Sequence, residues 1–236
     1  MHTIHFKDLG TIRYADAFAY QQELFNLNTA IKLSNREVGN NGIQPTTDYL
    51  LFCEHPHVIT LGKSGKQNNL LLNEEQLIKA GIEYYPTTRG GDITYHGPGQ
   101  IVGYPIIDLE HYFNDVHKYM YYLEELIILT LKDYGMKGGR VKGMTGVWLD
   151  HDKPYLARKI CAMGVKISRW ITMHGFALNV NTNLDYFNYI IPCGITGKAI
   201  TSMQKELHNQ INIEDVKKRL KLNFSGLFKV KLDDTE

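Results

Sequence analysis

Hydrophobic residues recur at helical spacing in three segments of the chain, at residues 13–34, 115–134 and 213–228. Each segment places its apolar side chains near one face and its polar side chains on the other, which is the pattern of an amphipathic helix. The second segment gives the clearest pattern, and Asn114 or Asp115 can cap its first turn. We therefore predict three long helices.

Shorter apolar runs, bounded by glycine, proline and polar residues, predict β-strands between these helices. The predicted strands are residues 48–54, 57–61, 101–109 and 147–150 and a meander over 155–180, with a short helix at 72–80 and a helical turn at 184–188. This order of elements predicts an α/β (α+β) fold, with a mixed sheet flanked by helices, in a single domain over residues 1–236.

The composition excludes several classes of protein. The 236 residues are 43% hydrophobic and 22% charged, so the chain can bury a core without disulfides or metal ions. A net charge of +1 gives no sign of a nucleic-acid partner. The N-terminal residues lack the apolar core of a signal peptide, and no apolar run is long enough to span a membrane. We expect a cytoplasmic protein with no membrane association.

The stretch Arg89–Pro105 contains four glycines within its first eleven residues, at positions 90, 91, 97 and 99. Glycines let a backbone approach a ligand closely, and they alternate here with side chains that bind or transfer protons. The apolar run that follows predicts a strand that holds the loop rigidly. A hairpin whose glycines only form turns is the simpler alternative, but it does not need this run of polar residues.

Two glycine-rich segments fail the standard phosphate-loop patterns. Val102 stands where a third glycine would follow Gly97 and Gly99, and Met144 stands where a phosphate-loop lysine would follow Gly143. Neither segment therefore predicts nucleotide binding.

Cys193 and Lys159 are the candidate catalytic residues. Cys193 lies between Pro192 and Gly194 in a predicted loop, whereas Cys53 and Cys161 lie in predicted strands and are expected in the core. A nearby cation or histidine can convert a loop cysteine into a nucleophile by lowering its pKa. Lys159 is one such partner, and His96, His174 and Lys166 are others. The alternatives are an inert cysteine and an ion-paired or snorkelling lysine.

Histidines leave a second possibility open. His55 and His57 are separated by one residue, which places both imidazoles on the same face of a strand. His96 could add a third zinc ligand. Pro56 interrupts the strand between them, and no carboxylate follows at a known ligand spacing, so metal catalysis is the less favoured interpretation.

Motifs between about residues 48 and 205 resemble one enzyme family. They are Glu54–Gly62, Arg89–Gln100 (Arg-Gly-Gly-Asp-Ile-Thr-Tyr-His-Gly-Pro-Gly-Gln), Arg158–Ile167 with His174–Asn179, and Pro192–Ile195. Together they resemble the lipoyl(octanoyl) transferases, also called the lipoate-protein ligase B family. The separation of thirty-four positions between Lys159 and Cys193 is similar to that of the family's lysine–cysteine dyad.

The resemblance implies a fold like the catalytic domain of biotin and lipoate protein ligases. It implies that octanoyl-acyl carrier protein donates an octanoyl group and that a lysine accepts it, on the lipoyl domains of 2-oxoacid dehydrogenases or on the glycine cleavage H protein. It implies Cys193 as the thioester-forming nucleophile and Lys159 as its acid–base partner, with no ATP and no metal. The implied substrate-binding residues are Arg89, Gly90, Gly91, Asp92, Ile93, Thr94, Tyr95, His96, Ala162, Met163, Gly164, Gly175, Phe176 and Ala177.

Three finer expectations follow from this chemistry. The octanoyl chain needs an apolar slot, for which we expect Tyr95, Met163, Val165 and Phe176. Backbone N–H groups near Gly164 or Gly90–Gly91 are candidates for an oxyanion site. A basic rim could steer acidic partner proteins, with seven candidate residues: Lys63, Lys66, Arg140, Lys142, Arg158, Lys166 and Arg169.

Other functions on the same fold stay open at this point. An ATP-dependent lipoate or biotin ligase would have no use for Cys193. An amidotransferase that moves acyl groups between carrier domains would share the dyad, and a binding protein without activity would have no need of it.

Overall fold

Among the residues that the structure describes, nine strands form one large sheet and three more form a small one. The computed structural model describes residues 2–37, 42–191 and 199–234. In chain order the strands are β1 (His2–Thr11), β2 (Tyr49–Glu54), β3 (Val58–Leu61), β4 (Glu83–Pro86), β5 (Ile93–His96), β6 (Gln100–Ile106), β7 (Gly138–Val141), β8 (Met144–Leu149), β9 (Arg158–Ser168), β10 (Ile171–Asn179), β11 (Ala199–Ile200) and β12 (Val230–Asp234).

Five α-helices in the described part of the chain connect or flank these strands. They are α1 (Tyr14–Glu37), α2 (Glu74–Ala80), α3 (Val116–Asp133), α4 (Met203–Leu207) and α5 (Ile213–Phe228). The side chain of Asp115 accepts a hydrogen bond from Lys118 N and so caps α3, and Asn73 caps α2 in the same way through Gln76 N. Local sequence signals thus fix where these two helices begin.

The large sheet is mixed, in the order β12-β1-β2-β6-β10-β9-β8-β7, with β11 added beside β9. Strands β2, β6, β10, β9, β8 and β7 pair antiparallel, whereas β1 runs parallel to both β2 and β12. The small sheet has the order β4-β3-β5. The four residues of the glycine-rich stretch before Gly97 therefore belong to a strand, β5, rather than to a loop.

Helices cover the large sheet on both faces. One apolar core joins the sheet to α3 and α5 and contains the fully buried Leu123, Ile127 and Phe224. A second core joins the other face to α1 through Ala17 and Leu24. Burial on both faces is the arrangement that the central strand β10 requires, because all nine of its residues are buried.

The predicted α/β fold class is confirmed, as are the three long helices and the strand meander. The terminal strands β1 and β12 were not predicted. Their sequence signal is weak, because only Ile4 and Phe6 are buried in β1 and only Val230 in β12. Long-range pairing defines these strands instead: β1 pairs with β2 and with β12. The β1–β12 pairing brings the first and last strands of the chain together. Cys53 and Cys161 are buried, free thiols, as expected.

Among the described residues, no helix is both long and apolar enough to cross a lipid bilayer.

Candidate functional site

A cavity of about 450 Å³ lies against the middle of the large sheet. Strands β6, β9 and β10 supply its floor, the loop that begins at Arg89 supplies one end, and β8 with Lys159 supplies the other. This volume lies within the range that small-molecule sites occupy. It is the candidate functional site.

Arg89 anchors the first end of the cavity. Its Nη2 donates hydrogen bonds to the carbonyl oxygen and the hydroxyl of Thr60, at 2.7 and 2.9 Å, and its Nη1 donates to the carbonyl of Gly90 at 3.2 Å. The residue is only 8% exposed. A buried guanidinium tied to backbone and hydroxyl oxygens holds the loop against β3.

The loop also contacts β9 directly. Gly90 N donates to the carbonyl of Val165 at 2.9 Å. A Cβ atom on Gly164 would lie 2.6 Å from the Gly90 carbonyl oxygen, so only glycine permits this approach. The Gly90 N–H is therefore already used, and this corrects its expected role as an oxyanion donor.

Two neutral histidines line the same end. Burial lowers the pKa of His96 and of His174 to about 3, and the charge of Arg89 also contributes to lowering both. His96 Nδ1 lies 2.8 Å from Gln100 Oε1, and Gln100 Nε2 donates to Asn179 Oδ1 at 2.8 Å. These contacts give the cavity a polar, uncharged wall beside Arg89.

An apolar wall faces the α3 side of the sheet. It is lined by Met120 of α3, Met163 and Val165 of β9 and the buried ring of Phe176 in β10, all of which belong to or pack against the same apolar core. These side chains can cover a hydrocarbon chain without competing for hydrogen bonds.

Lys159 defines the second end of the cavity. The residue is half-buried, and its Nζ lies 4.7 Å from the centroid of the Trp148 ring, a cation–π distance. Its backbone pairs with Ile200 of β11, and its carbonyl accepts a hydrogen bond from Thr201 N at 2.9 Å. Gly146 lies against it, since a Cβ there would come 3.6 Å from Lys159 Cε and 2.5 Å from the Cys161 carbonyl oxygen. The lysine stem is therefore held on two sides.

Cys193 lies outside the described residues. The described chain stops at Ile191, whose N–H donates to the carbonyl of Asn69 at 2.8 Å, and resumes at Ala199, which pairs with Arg158. Phe187, before the gap, and Ile200, after it, both line the cavity. The described residues on either side of Cys193 thus contact or line elements of the site.

Most of the predicted site residues line this one cavity. They are Arg89, Gly90, Gly91, Asp92, Ile93, Thr94, His96, Lys159, Ala162, Met163, Gly164, Gly175, Phe176 and Ala177.

Tyr95 is not among the residues around the cavity, contrary to the expectation that it lines an acyl slot. Its side chain stacks on Tyr186 at 5.1 Å and its hydroxyl bonds to His57 Nδ1 at 2.8 Å, within the core of the small sheet. Alternation along β5 points the Tyr95 side chain away from the face of Thr94 and His96, which line the cavity. Ile93, the first residue of the strand, borders both the cavity and the core of the small sheet.

Comparison with known proteins identifies the family. A family model described as the lipoyl protein ligase A/B catalytic domain matches residues 13–225. An octanoyltransferase of Cytophaga hutchinsonii is 53% identical over 229 residues, which cover 97% of this chain and 94% of the relative. One of Flavobacterium psychrophilum is 55% identical over 227 residues, covering 96% and 97% of the two chains.

The chain belongs to the octanoyltransferase family. It is an acyltransferase that transfers octanoyl groups in protein lipoylation. The resemblance drawn from its motifs is confirmed.

Solved structures support the same fold for this octanoyltransferase. A bipartite lipoate protein ligase of Thermoplasma acidophilum superposes with a TM-score of 0.71 at 15% identity, covering 100% of this chain and 87% of the other. A lipoate-protein ligase A bound with ATP gives a TM-score of 0.68 at 15% identity, covering 100% of this chain and 89% of the other. The predicted ligase-like catalytic fold is confirmed.

The three histidines considered as zinc ligands do not converge in this octanoyltransferase. His55 lies between the carbonyl of Ile12 and the Tyr104 hydroxyl, at 2.8 and 2.7 Å, and His57 stacks on Tyr186. His57 Nδ1 bonds to the Tyr95 hydroxyl, and His96 Nδ1 bonds to Gln100 Oε1. The residues thus provide no common coordination point.

The expected basic rim is also partly neutralised. Arg140 bonds to Glu124 and Glu125, and Arg158 bonds to Asp150 and Glu206. These two arginines hold secondary structure elements together, and their charges are largely balanced locally.

Several cavity residues were missed by sequence reasoning. Tyr14 and Met120 come from helices, Gly143 comes from the β7–β8 turn, Met144, Thr145 and Trp148 come from β8, and Ile200 comes from β11. The turn has a usable signal, since it lies in the second glycine-rich segment. The helix residues have none, because packing alone decides which apolar helix positions meet the cavity.

Proposed function

We propose that this octanoyltransferase takes its acyl group from octanoyl-acyl carrier protein and holds it as a thioester on Cys193. It then passes the group to the target lysine of a lipoyl domain, on a 2-oxoacid dehydrogenase or on the glycine cleavage H protein. Cys193 and Lys159 are the catalytic residues of this proposal, and the cavity binds the octanoyl chain.

One observation carries the proposal. Lys159 lies at the end of an acyl-sized cavity, and its backbone pairs with β11, which begins six residues after Cys193 in the chain. The lysine therefore lies beside the first described residues that follow Cys193 in the chain. Described residues on both sides of that segment line the same cavity.

The first half-reaction forms the acyl-enzyme. The Cys193 thiolate, stabilised by the Lys159 ammonium, attacks the thioester carbonyl of the donor. The bond between the carbonyl carbon and the carrier sulfur breaks, and the departing carrier thiolate takes a proton from Lys159. The products are octanoyl-Cys193, a neutral Lys159 and the free carrier thiol.

The second half-reaction transfers the group to the acceptor. The neutral amine of the target lysine attacks the acyl-Cys193 carbonyl, and Lys159 takes the proton that the nitrogen must lose. Collapse of the tetrahedral intermediate breaks the carbon–sulfur bond and forms the amide. The Cys193 thiolate and the Lys159 ammonium are restored, so the proton count closes.

The apolar wall suits the proposed acyl chain. Met120, Met163, Val165 and Phe176 can cover a hydrocarbon chain, and each buried CH₂ group contributes roughly 0.8 kcal/mol. Several methylene groups buried together supply enough free energy to favour an eight-carbon chain over a much shorter one.

This chemistry needs neither ATP nor a metal ion, because a thioester donor arrives already activated. The ATP-dependent ligases of the same fold have to activate a free carboxylic acid instead. The failure of both glycine-rich segments to match a phosphate-loop pattern is consistent with this difference.

Intact-protein mass spectrometry tests the proposal. The enzyme is mixed with octanoyl-acyl carrier protein without ATP, and wild type is compared with Cys193→Ala. We expect one octanoyl adduct on wild type, its loss on adding a lipoyl domain, and no adduct on Cys193→Ala. Cys161→Ala and Cys53→Ala are matched controls that keep the adduct.

Two outcomes would contradict the proposal. An adduct that persists in Cys193→Ala would assign the nucleophile to another residue. Acceptor modification that requires ATP and free octanoate would make the chain a ligase and remove the thioester step.

A further inference from the structure

A second cluster of reactive side chains lies at the end of β6 away from the cavity. His2 Nε2 and His111 Nδ1 lie 2.9 and 3.0 Å from Asp48 Oδ2, and the three ligand atoms lie within 4.8 Å of one another. His2 begins β1, Asp48 directly precedes β2, and His111 ends the 3₁₀ turn Leu109–His111 that follows β6. None of the three lines the cavity.

Hydrogen-bond accounting fixes the tautomer of a neutral His111. Thr46 has a single hydroxyl hydrogen, and its oxygen lies 2.9 Å from Asp108 Oδ2, a carboxylate oxygen that can only accept. His111 Nε2 lies 3.1 Å from the same hydroxyl oxygen and therefore donates to it. In the neutral ring, Nδ1 then carries a lone pair.

The lone pair on His111 Nδ1 points at a lone pair on the Asp48 carboxylate. His111 Nδ1 lies 3.0 Å from Asp48 Oδ2, and two acceptors at this distance repel each other unless a cation lies between them. Either a second proton on His111 or a metal ion satisfies the contact.

The carboxylate of Asp48 is held in one orientation. Its side chain is fully buried, Oδ1 accepts the backbone N–H of Asp108 at 2.7 Å, and Oδ2 accepts the Tyr112 hydroxyl at 2.7 Å. Oδ2 is thereby aimed at both imidazoles. Partners of this kind, which orient ligands from outside, accompany protein metal sites.

The charges around the cluster favour a divalent cation. Asp48, Asp108 and Glu110 are three carboxylates, and Lys32 bonds to two of them, Asp108 and Glu110. With both histidines neutral, these four side chains leave a net negative charge beside partly buried groups. A bound cation offsets that charge.

We propose that His2, Asp48 and His111 form a site for a divalent transition metal of the Zn²⁺ class, with a fourth position for water. Zn²⁺ bonds of 2.0–2.1 Å in a tetrahedron place ligand atoms roughly 3.3 Å apart. The two nitrogen–oxygen separations need to widen by only a few tenths of an ångström to reach it. His111 would bind through Nδ1 while its Nε2–H stays on Thr46.

The site is structural in this proposal. It joins the first residue of β1 to the start of β2 and to the turn after β6, so the bound metal stabilises the N-terminal strand. It is separate from Lys159 and from the cavity, and the octanoyl transfer described above does not depend on it. The two proposals therefore succeed or fail independently.

Cobalt spectroscopy and calorimetry test the site on the full chain. After dialysis against a chelator, wild type is titrated with Co²⁺, then with Zn²⁺ in competition. We expect one equivalent bound, with ligand-field absorption of a tetrahedral nitrogen–oxygen site, and a higher Tm with Zn²⁺. His2→Gln and His111→Gln should each weaken binding at least tenfold, and Thr46→Val should weaken it by about tenfold through lost orientation of His111.

His117→Gln is the matched control, since this exposed histidine lies on α3 outside the cluster, and its affinity for Zn²⁺ should equal that of wild type. Because His2 and His111 are partly exposed, their variants keep the fold even if Asp48→Asn does not. Three results would overturn the proposal: no Co²⁺ binding to wild type, unchanged affinity in both histidine variants, or thiolate-to-metal charge-transfer absorption that places the ion on cysteine.

Discussion

Arg89 and Lys159 both line the cavity, but the protein holds them in opposite ways. Arg89 is 8% exposed and donates to two oxygens of Thr60 and one of Gly90. Lys159 is half-buried at the other end, beside the Trp148 ring and against the short strand β11. One cation is built into the core, and the other is half-buried beside a two-residue strand.

The difference separates two tasks. A guanidinium cannot release its proton in a protein, so Arg89 can organise the glycine-rich loop and lower the pKa of nearby histidines but cannot shuttle protons. An ammonium group can change its protonation state when its surroundings change. The cavity thus pairs an end that keeps a fixed charge with an end that can exchange protons.

Replacing Lys159 should have the largest effect on activity. Lys159→Met removes both the charge that stabilises a thiolate and the base of the second step, and we expect octanoyl transfer to fall by about 10²–10⁴-fold. Lys159→Arg keeps the charge, so acyl-enzyme should still form while its discharge to a lipoyl domain fails. Single-turnover mass spectrometry of the two half-reactions measures both effects.

Lys166→Arg is the control for this experiment. Lys166 lies on the same strand, with its Nζ 4.7 Å from the centroid of the Phe25 ring, and does not line the cavity. Its variant should transfer normally. Normal turnover by Lys159→Arg would show that Lys159 is not the base of the second half-reaction. The two cations would then not differ in their ability to exchange protons.

Replacing Arg89 should instead affect the fold around the cavity. Arg89→Met leaves buried oxygens of Thr60 and Gly90 without their donor, and each unsatisfied buried group costs about 1–3 kcal/mol. We expect the free energy of unfolding to fall by about 3 kcal/mol, measured by urea denaturation. Arg13→Met removes an exposed pair with Glu83 and should leave stability unchanged.

An Arg89→Met variant with wild-type stability but no octanoyl binding would show that Arg89 acts on the substrate rather than on the loop. The same denaturation curves, with an acyl-enzyme assay on each folded variant, distinguish the two roles.

The sequence predicts one end of the cavity better than the other. Arg89 to His96 are contiguous, and their glycines and polar side chains mark them as a binding segment without any knowledge of the fold. The Lys159 end is assembled from β8, β9, β11 and α3, whose residues meet only after the sheet has formed. Trp148 and Met120 are ordinary core residues in the sequence, and no local pattern indicates that they face a cavity.

Tyr95 was predicted wrongly even though it lies in the end of the cavity that the sequence predicts better. Its residue type suits an acyl slot, and its neighbours Thr94 and His96 do line the cavity. The orientation of Tyr95 follows only from knowing that residues 93–96 form a strand that pairs antiparallel with β3. Its side chain then points into the core of the small sheet. The terminal strands β1 and β12 were missed for a related reason, since their pairing is between residues more than 200 positions apart.

The smallest effect of a single replacement that we predict concerns the pH dependence of stability at the Arg89 end of the cavity. Burial lowers the pKa of His55 to about 4 and of His96 and His174 to about 3, whereas an unfolded histidine titrates near 6.5. Below pH 6.5 the unfolded chain therefore binds protons that the folded chain does not. Stability should be fully present above pH 6.5 and should fall as the pH decreases toward 4, by up to about 1.4 kcal/mol per pH unit for each histidine.

Urea denaturation between pH 7.5 and 5 measures this slope in a range above the titration of ordinary carboxylates. His96→Gln should reduce the dependence of the unfolding free energy on pH by the contribution of one histidine, up to about 1.4 kcal/mol per pH unit. The glutamine amide can keep a hydrogen bond to Gln100 but does not titrate. His117→Gln, an exposed position, should leave the slope unchanged. A slope that stays the same in His96→Gln would mean that His96 can bind a proton in the folded protein. The Arg89 end would then exchange protons as the Lys159 end is proposed to do, and the division of tasks between the two ends would be wrong.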